Sequence, residues 1–374
     1  MWKILPTNYI HLKVLFDHQT FSLQQYGGIS RYFSELQEYI NHEQGLTMER
    51  GILVSRNNYL PNSSFRIPPS VGRALISRSR MYGINKKYAK YLIEKNHYDI
   101  FHPTYYDAYF LPLLKKPFVL TVHDLTHEIF PEFFPQNDPF ITYKRMVIAK
   151  ADHIIAISAS TSQDLQKIFG IAEKKISVIH HGYFKPHIQA NEDFALPDRY
   201  LLYVGDRTGY KNFTRFITAV TPLLHQDQEL SVICAGGGKF NLAERELFHR
   251  NRISGKILQR SATDPQLKTL YQKALIFVYP SLYEGFGLPI LEAFSNNCAV
   301  AMSNSSCFPE VGDQAVIYFD PYSPEDMLKG IQSILYNNEL ANALTQKGKE
   351  RLRHFSYEKC MEKTLNIYRN LGGN

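Results

Sequence analysis

The sequence predicts an α/β protein built as two doubly wound domains, each a parallel sheet with helices on both faces, opening toward a central cleft. Three observations carry that prediction. Apolar runs of four to seven residues alternate with segments of helical periodicity along the whole chain, as parallel strands and crossover helices require. At 374 residues the chain is too long for one ordinary core and long enough for two, of about 150–190 residues each. A stretch of little periodicity at 182–197, containing Pro186, Asn191 and Pro197, divides the pattern and reads as the interdomain connection.

In the first half, strands are predicted at 12–17, 51–55, 99–102, 117–122, 153–157 and 177–180. In the second half they fall at 200–204, 230–235, 256–258, 275–279, 299–302 and 316–319. The domains are thus expected at 1–190 and 198–355. The last segment, 356–374, is helical and offers Tyr357, Met361, Leu365, Ile367 and Tyr368 for packing back on the first domain. An apolar content of 44% with 21% charged residues fits soluble globular units. No apolar run approaches the ~20 residues of a membrane-spanning helix. The start, Met1-Trp2-Lys3, lacks an apolar stretch and a cleavage site, so no signal peptide is expected. Cys234, Cys298, Cys307 and Cys360 are scattered, and the expectation is buried free thiols in a reducing, cytoplasmic compartment.

The net charge of +7 is concentrated. Arg73, Arg78, Arg80, Lys86, Lys87, Lys90 and Lys95 face a single acid, Glu94, with Tyr82, Tyr88, Tyr91, Leu92 and Ile93 between them. Such a helix is either a solvated face or one that lies on an anionic membrane surface. No nucleic-acid motif accompanies the charge, so nucleic acid is not an expected partner.

The most informative stretch is Ser281-Leu-Tyr-Glu-Gly-Phe-Gly-Leu-Pro-Ile-Leu-Glu-Ala-Phe294. An apolar strand leads into Gly285 and Gly287, which free the backbone to turn, and Pro289 suits the first turn of a helix. Glu284 then sits in the loop at the mouth and Glu292 about a turn inside the helix. The free N–H groups of the helix start attract an anion. Two carboxylates around an anion site suit a ligand carrying both hydroxyls and phosphate: a nucleotide sugar. The plainer reading is a strand–helix turn with one solvated and one capping glutamate.

Other strand ends repeat the theme. After the first strand, Gly27-Gly28 opens a helix and lets the backbone approach a ligand, or simply makes a tight turn. The dinucleotide fingerprint G-x-G-x-x-G is absent, which counts against a nicotinamide-dependent oxidoreductase. His123 and Asp124 end a strand and would face the cleft, with His123 able to bond a sugar hydroxyl and Asp124 able to orient it or cap the next turn. His127, His180 and His181 lack metal-ligand companions, and no metal is assigned. In 203–213, Gly205 and Gly209 bend a loop that leaves Arg207 and Lys211 free to converge on a diphosphate, with Asn212 beginning the next helix. The run Gly236-Gly237-Gly238 permits close approach across the cleft, or packs as a turn.

Taken together, these residues resemble the retaining glycosyltransferases of family 4, whose fold is a pair of Rossmann-like domains (GT-B). The resemblance runs from about Leu12 to Tyr357 and includes Ala151-Asp-His-Ile-Ile-Ala-Ile-Ser158 and Pro309-Glu-Val-Gly312. Asn297 and Ala299 stand where the family commonly has Gly and Pro, and Tyr357 where it often has Trp. The resemblance implies a donor nucleotide on the second domain and an acceptor on the first. Glu292 would bond the ribose, Glu284 the donor sugar and His123 the transferred sugar. Arg207 and Lys211, with N–H groups at Gly28, Gly287 and Leu288, would hold the leaving diphosphate. The spelling at 205–212 is most similar to bacterial surface-polysaccharide and O-antigen mannosyltransferases. It implies mannose from GDP-mannose, or a UDP-sugar, passed without a metal or other cofactor to a saccharide or lipid-linked saccharide. A non-catalytic nucleotide-sugar binder on the same fold is the remaining alternative.

Overall fold

The computed structural model describes residues 11–60, 77–136, 138–183 and 195–373. The first domain holds β1 (Leu12–Phe16), β2 (Leu46–Arg50), β3 (Ile100–His102), β4 (Val119–Val122), β5 (His153–Ala156) and β6 (Ile176–Val178). They pair in parallel as β2-β1-β3 and β4-β5-β6, and a bridge between Phe101 and Phe118 joins the two runs edge to edge. The second domain holds β7 (Arg199–Val204), β8 (Leu230–Ala235), β9 (Ile257–Arg260), β10 (Ile276–Tyr279), β11 (Val300–Ser303) and β12 (Ile317–Phe319), in the order β12-β11-β10-β7-β8-β9. The order reverses beside β1 in one sheet and beside β7 in the other. Ligands of open parallel sheets bind at such reversals, outside the strand C-termini.

The strands are apolar because both faces are covered. Val14, Phe16, Ile100 and Val119 lie under helix Gly28–Asn41 and the C-terminal helix on one side, while Leu15, Phe101, Leu120 and Ile154 meet Ala89, Val147 and Leu165 on the other. Sheets buried on both faces read as continuous apolar runs rather than alternating ones.

One strand is displaced from its expected place. The second strand is Leu46–Arg50, not 51–55. β2 is an edge strand with half-buried Met48, Glu49 and Arg50, so its sequence is polar. The apolar residues that follow are buried without being paired in the sheet. The Asn85 side chain takes the ladder's place there, accepting from Leu53 and Val54 N–H at 2.9 and 3.1 Å and donating to the Val54 carbonyl at 2.7 Å.

The helix Tyr357–Gly372 packs on the first sheet although it follows the second domain in sequence. Tyr368 is fully buried, with its hydroxyl 2.5 Å from His102 Nδ1, and Tyr357 donates to the Glu35 carbonyl at 2.9 Å. Of the connection at 182–197, residues 184–194 lie outside the described residues. All four cysteines are buried and free.

Two further ties cross between the domains. Tyr283 donates to Asp164 at 2.7 Å. Glu310 accepts from the N–H groups of Ala159 at 2.7 Å and Ser160 at 3.3 Å, and pairs with His180. Helix Ala159–Phe169 of one domain is therefore capped by a carboxylate of the other, as suits the positive end of a helix. Burial pushes the Glu310 carboxyl upward, but His180 and the Ala159 N–H outweigh it and hold it below the ordinary 4.5. Its contribution is present above that value and lost as pH falls through the lower folded one. Glu310→Ala should cost about 1–3 kcal/mol at neutral pH by leaving those donors unpaired. The gap in melting temperature from the parent should shrink once both proteins are taken well below pH 4.5. A gap that stays constant with pH would remove the carboxylate from this role.

Candidate functional site

The two sheets' C-terminal ends enclose a cleft of about 890 Å³. Gly28, Arg31 and His181 line it from the first domain, and Lys211, Leu288 and Glu292 from the second. The loop 281–288 reaches across to the end of β4. Gly285 is obligatory there: a Cβ would collide with the His123 carbonyl oxygen. Across the cleft, Gly28 faces the Leu288 side chain, which a Cβ at position 28 would just touch. Gly287 takes a positive φ of 93° and caps helix Leu288–Ser295, which carries a proline in its first turn. The helix ends through Asn297 at φ 58°, so the left-handed turn survives without glycine.

Lys211 and Glu284 form an ion pair at 2.6 Å on the second-domain side. Burial alone would lower the Lys211 pKa, but the charge of Glu284 outweighs it and the ammonium is held above its ordinary 10.5. The Glu284 carbonyl is fixed from behind by the Cys307 thiol at 3.2 Å, and its N–H by Ser306 Oγ at 3.2 Å. Glu292 accepts from the Tyr271 hydroxyl at 3.0 Å. Burial raises its pKa, while Tyr271 and the charge of Arg31 act against that rise. One oxygen is thereby anchored, and the residue lines the cleft.

His123 is buried with its backbone N–H donating to the Tyr106 hydroxyl at 3.0 Å, and its Nε2 meets no partner among the described residues. It stacks on His181 at 5.8 Å. Burial pushes His123 down to about 4 and His181 to about 3, so both rings are neutral at pH 7. Asp124 caps the following turn by accepting from Thr126 N–H at 3.1 Å, and the buried Lys144 neutralises it from behind. His127 lies flat on Phe134, and His180 is held by Glu310.

Arg207 departs from the expectation. It does not converge with Lys211 on the cleft. Its guanidinium is occupied by Glu244 at 2.7 Å and by the carbonyls of Gly236, Gly237, Gly238 and Lys239 at 2.9–3.2 Å. Its side chain is 3% exposed. A guanidinium has five donors in a fixed fork, and these partners engage all three nitrogens. Asn212 stands at the start of helix Phe213–Gln226 as expected, but its side chain, instead of capping that helix, donates to the carbonyls of Pro280 and Pro321 and ties two loops together.

Arg31 is the cleft cation that the sequence reading missed. It lies three residues into the helix from Gly28, which places it on the face that looks into the cleft. It pairs with Glu35 at 2.9 Å; burial would lower its pKa, but Glu35 first, and then Glu292 and Asp264 of the other domain, outweigh that and hold it above its ordinary value. The spacing from Gly28 was a legible signal for it. Glu244 was legible as well, since Asn241 and Glu244 form a capping box.

The neutral histidines have a measurable consequence. Unfolded histidines protonate near 6.5, whereas His18, His102 and His181 are pushed to about 3 and His123 to about 4. The unfolded chain therefore binds more protons below 6.5, and stability falls with pH through that range. Melting curves between pH 7 and 4.5 should show this fall, and His123→Gln should flatten it. A parent melting temperature independent of pH across that range would contradict the burial of these rings.

Comparison with known proteins agrees with this architecture. Residues 26–183 match the family described as Glycosyltransferase Family 4, and residues 184–351 match Glycosyl transferases group 1. The chain is 28% identical over 226 residues to the O-antigen chain mannosyltransferase RfbU of Salmonella typhimurium, across 60% of this chain and 62% of that one. The match thus spans under two thirds of that relative. It is 27% identical to O-antigen chain mannosyltransferase B of Escherichia coli, across 70% of this chain and 72% of that one. In fold it is similar to sucrose-phosphate synthase from Thermosynechococcus elongatus, with a TM-score of 0.75 at 17% identity over 96% of this chain and 99% of that one. With its two parallel sheets facing one cleft, the chain belongs to the GT-B glycosyltransferases, its first half to family 4 and its second to group 1.

Proposed function

We propose that this protein transfers a hexose from a nucleotide sugar to a saccharide or lipid-linked saccharide in bacterial surface-polysaccharide synthesis. The donor is taken to be GDP-mannose, and the transfer to proceed with retention of configuration and without a metal ion. One observation carries the reading: the Lys211–Glu284 pair sits just before a helix start, with Lys211 lining the cleft and the next residue after Glu284, Gly285, packed on the His123 backbone of the other domain. Without ligand, the two side chains neutralise each other. A donor separates them, offering phosphate oxygens to the ammonium and sugar hydroxyls to the carboxylate. The donor sugar is assigned to the mannose series because both O-antigen relatives are mannosyltransferases by name.

The chemistry follows from charge. The bond from the sugar's anomeric carbon to the phosphate oxygen breaks, and negative charge grows on the diphosphate. Lys211 and the N–H groups at Gly287 and Leu288 stabilise that charge without reorganising. The acceptor hydroxyl attacks on the face the diphosphate leaves, and its proton passes to the departing phosphate. Neutral His123 bonds the transferred sugar without adding a positive charge to a centre that is itself becoming positive. Glu292, held by Tyr271, takes the ribose hydroxyls.

Thermal stabilisation by GDP, GDP-mannose, UDP and UDP-sugars, measured with and without EDTA, tests the donor. Binding at a hundredfold excess over Kd adds about 2.7 kcal/mol. A shift with the guanosine pair that survives EDTA is the expected result. A shift confined to the uridine set overturns the donor, and no shift at all in a folded sample overturns the nucleotide-sugar reading, catalytic or not. Lys211→Ala should lower kcat by about 10²–10³ while the protein stays folded. Turnover near the parent level would remove Lys211 from the leaving-group role.

The acceptor reading extends to the basic helix Arg78–Lys95, with Arg73 outside the described residues. Part of the aromatic and basic pattern is used internally: Tyr82 and Lys86 bond Asp107 at 2.8 and 2.7 Å, and Leu92 and Ile93 are buried. Arg78, Arg80, Lys87, Tyr91 and Lys95 remain exposed. We assign this face to an anionic membrane surface at the cytoplasmic side. Among the described residues, no helix is long and apolar enough to cross a membrane. Sedimentation with phosphatidylglycerol vesicles should exceed that with phosphatidylcholine and weaken with salt. Equal binding to both would withdraw the assignment.

A further inference from the structure

The Arg207 guanidinium is buried in the protein's own carbonyls, and that arrangement has a second side. The turn at 236–238 is built from three successive glycines with φ of 96°, 65° and 68°. Such values suit glycine alone in succession. They let the carbonyls of Gly236, Gly237, Gly238 and Lys239 all point at one cation. Phe240 covers the guanidinium face at 4.8 Å, and Glu244 locks its edge while also closing the capping box of helix Leu242–Arg250. A Cβ on Gly237 would strike Arg207 Nη1.

In a planar trans peptide, the carbonyl of one residue and the N–H of the next point in opposite directions. With the carbonyls gathered on Arg207, the N–H groups of Gly237, Gly238 and Lys239 are directed away from it. Among the described residues, none of these three N–H groups donates to a protein acceptor. Gly236 and Gly237 belong to the cleft wall, next to Gly205 and Asp206. Successive backbone N–H groups on one side of a turn make an anion site.

We propose that Arg207 is a positioning residue: it orients the 236–239 turn so that the N–H groups of Gly237 and Gly238 bind a phosphate of the nucleotide. The inference rests on the nucleotide-sugar reading and deepens it. The cation acts through the turn and does not touch the ligand. Its charge draws the carbonyl ends inward and leaves the positive ends of the peptide dipoles to the cleft. Lys at this position supplies a point charge that reaches fewer of the four carbonyls, and Met supplies none.

Calorimetric titration of the full chain and of Arg207→Met, Arg207→Lys and Gly237→Ala tests this. The probes are GDP, UDP, guanosine and uridine. In Arg207→Met, affinity for the diphosphate that binds the parent should fall roughly tenfold or more, as for a lost hydrogen bond to a charged group. Affinity for the matching nucleoside should hold. Arg207→Lys should recover part of the loss, and Gly237→Ala should reproduce it with Arg207 intact. In turnover, the donor KM should rise more than kcat falls. Unchanged diphosphate affinity, or an equal loss of diphosphate and nucleoside, overturns the inference alone. A folded parent that binds neither diphosphate overturns both this inference and the donor reading. If Arg207→Met does not fold, the same comparison is made on Gly237→Ala and Arg207→Lys, and parent-like diphosphate binding by both overturns the inference.

Discussion

The cleft depends on the close approach of two backbones, Gly285 of the second domain and the His123 carbonyl of the first. Any side chain at 285 would push the 281–288 loop away from the end of β4. The loop carries Glu284, and it brings the start of helix Leu288–Ser295 opposite Gly28. One absent Cβ therefore permits the approach of this loop to the first domain. Tyr283–Asp164 and the Glu310 cap on helix Ala159–Phe169 hold the same two bodies together farther out.

The second domain contains two pairs of the same kind with opposite uses. In Lys211–Glu284 the lysine lines the cleft, and 16% and 14% of the two side chains are exposed. Arg207–Glu244 is nearly closed to solvent and surrounded by carbonyls, so a ligand gains nothing by parting it. Removing one partner of a buried pair leaves an uncompensated charge, which is why such a pair behaves as structure rather than as a reagent. The two cations are four positions apart on one loop. Their different fates come from the distant residues that meet them.

Much of this was legible in the chain. Eleven of the twelve strands fall where short apolar runs predicted them, because sheets covered on both faces demand such runs. The exception, β2, is an edge strand, and its solvent-facing side makes the sequence polar while the buried run beyond it is held by Asn85. The glycine and proline spacing of 284–292 placed the turn and the helix start, since those residues have few other uses at such positions. Arg31 was passed over although it stands one helical turn after Gly28: that spacing puts it on the same helix face, and only the fold shows that this face meets the opposite domain.

By itself, then, the sequence determined the two-sheet α/β architecture, the strand ends that carry function and the local turns there. These rest on periodicity and on backbone preferences, which are properties of neighbouring residues. The tertiary structure alone decided which cation looks into the cleft. Arg207 and Lys211 are both long, charged and close to the same turn, and their sequence neighbours do not show which of them turns inward. Glu244, 37 positions on, and the carbonyls of a turn at the end of a neighbouring strand draw one inward, while Glu284, 73 positions on, keeps the other at the cleft. Side-chain direction of this kind is set by partners brought near through folding, and no window along the chain contains them.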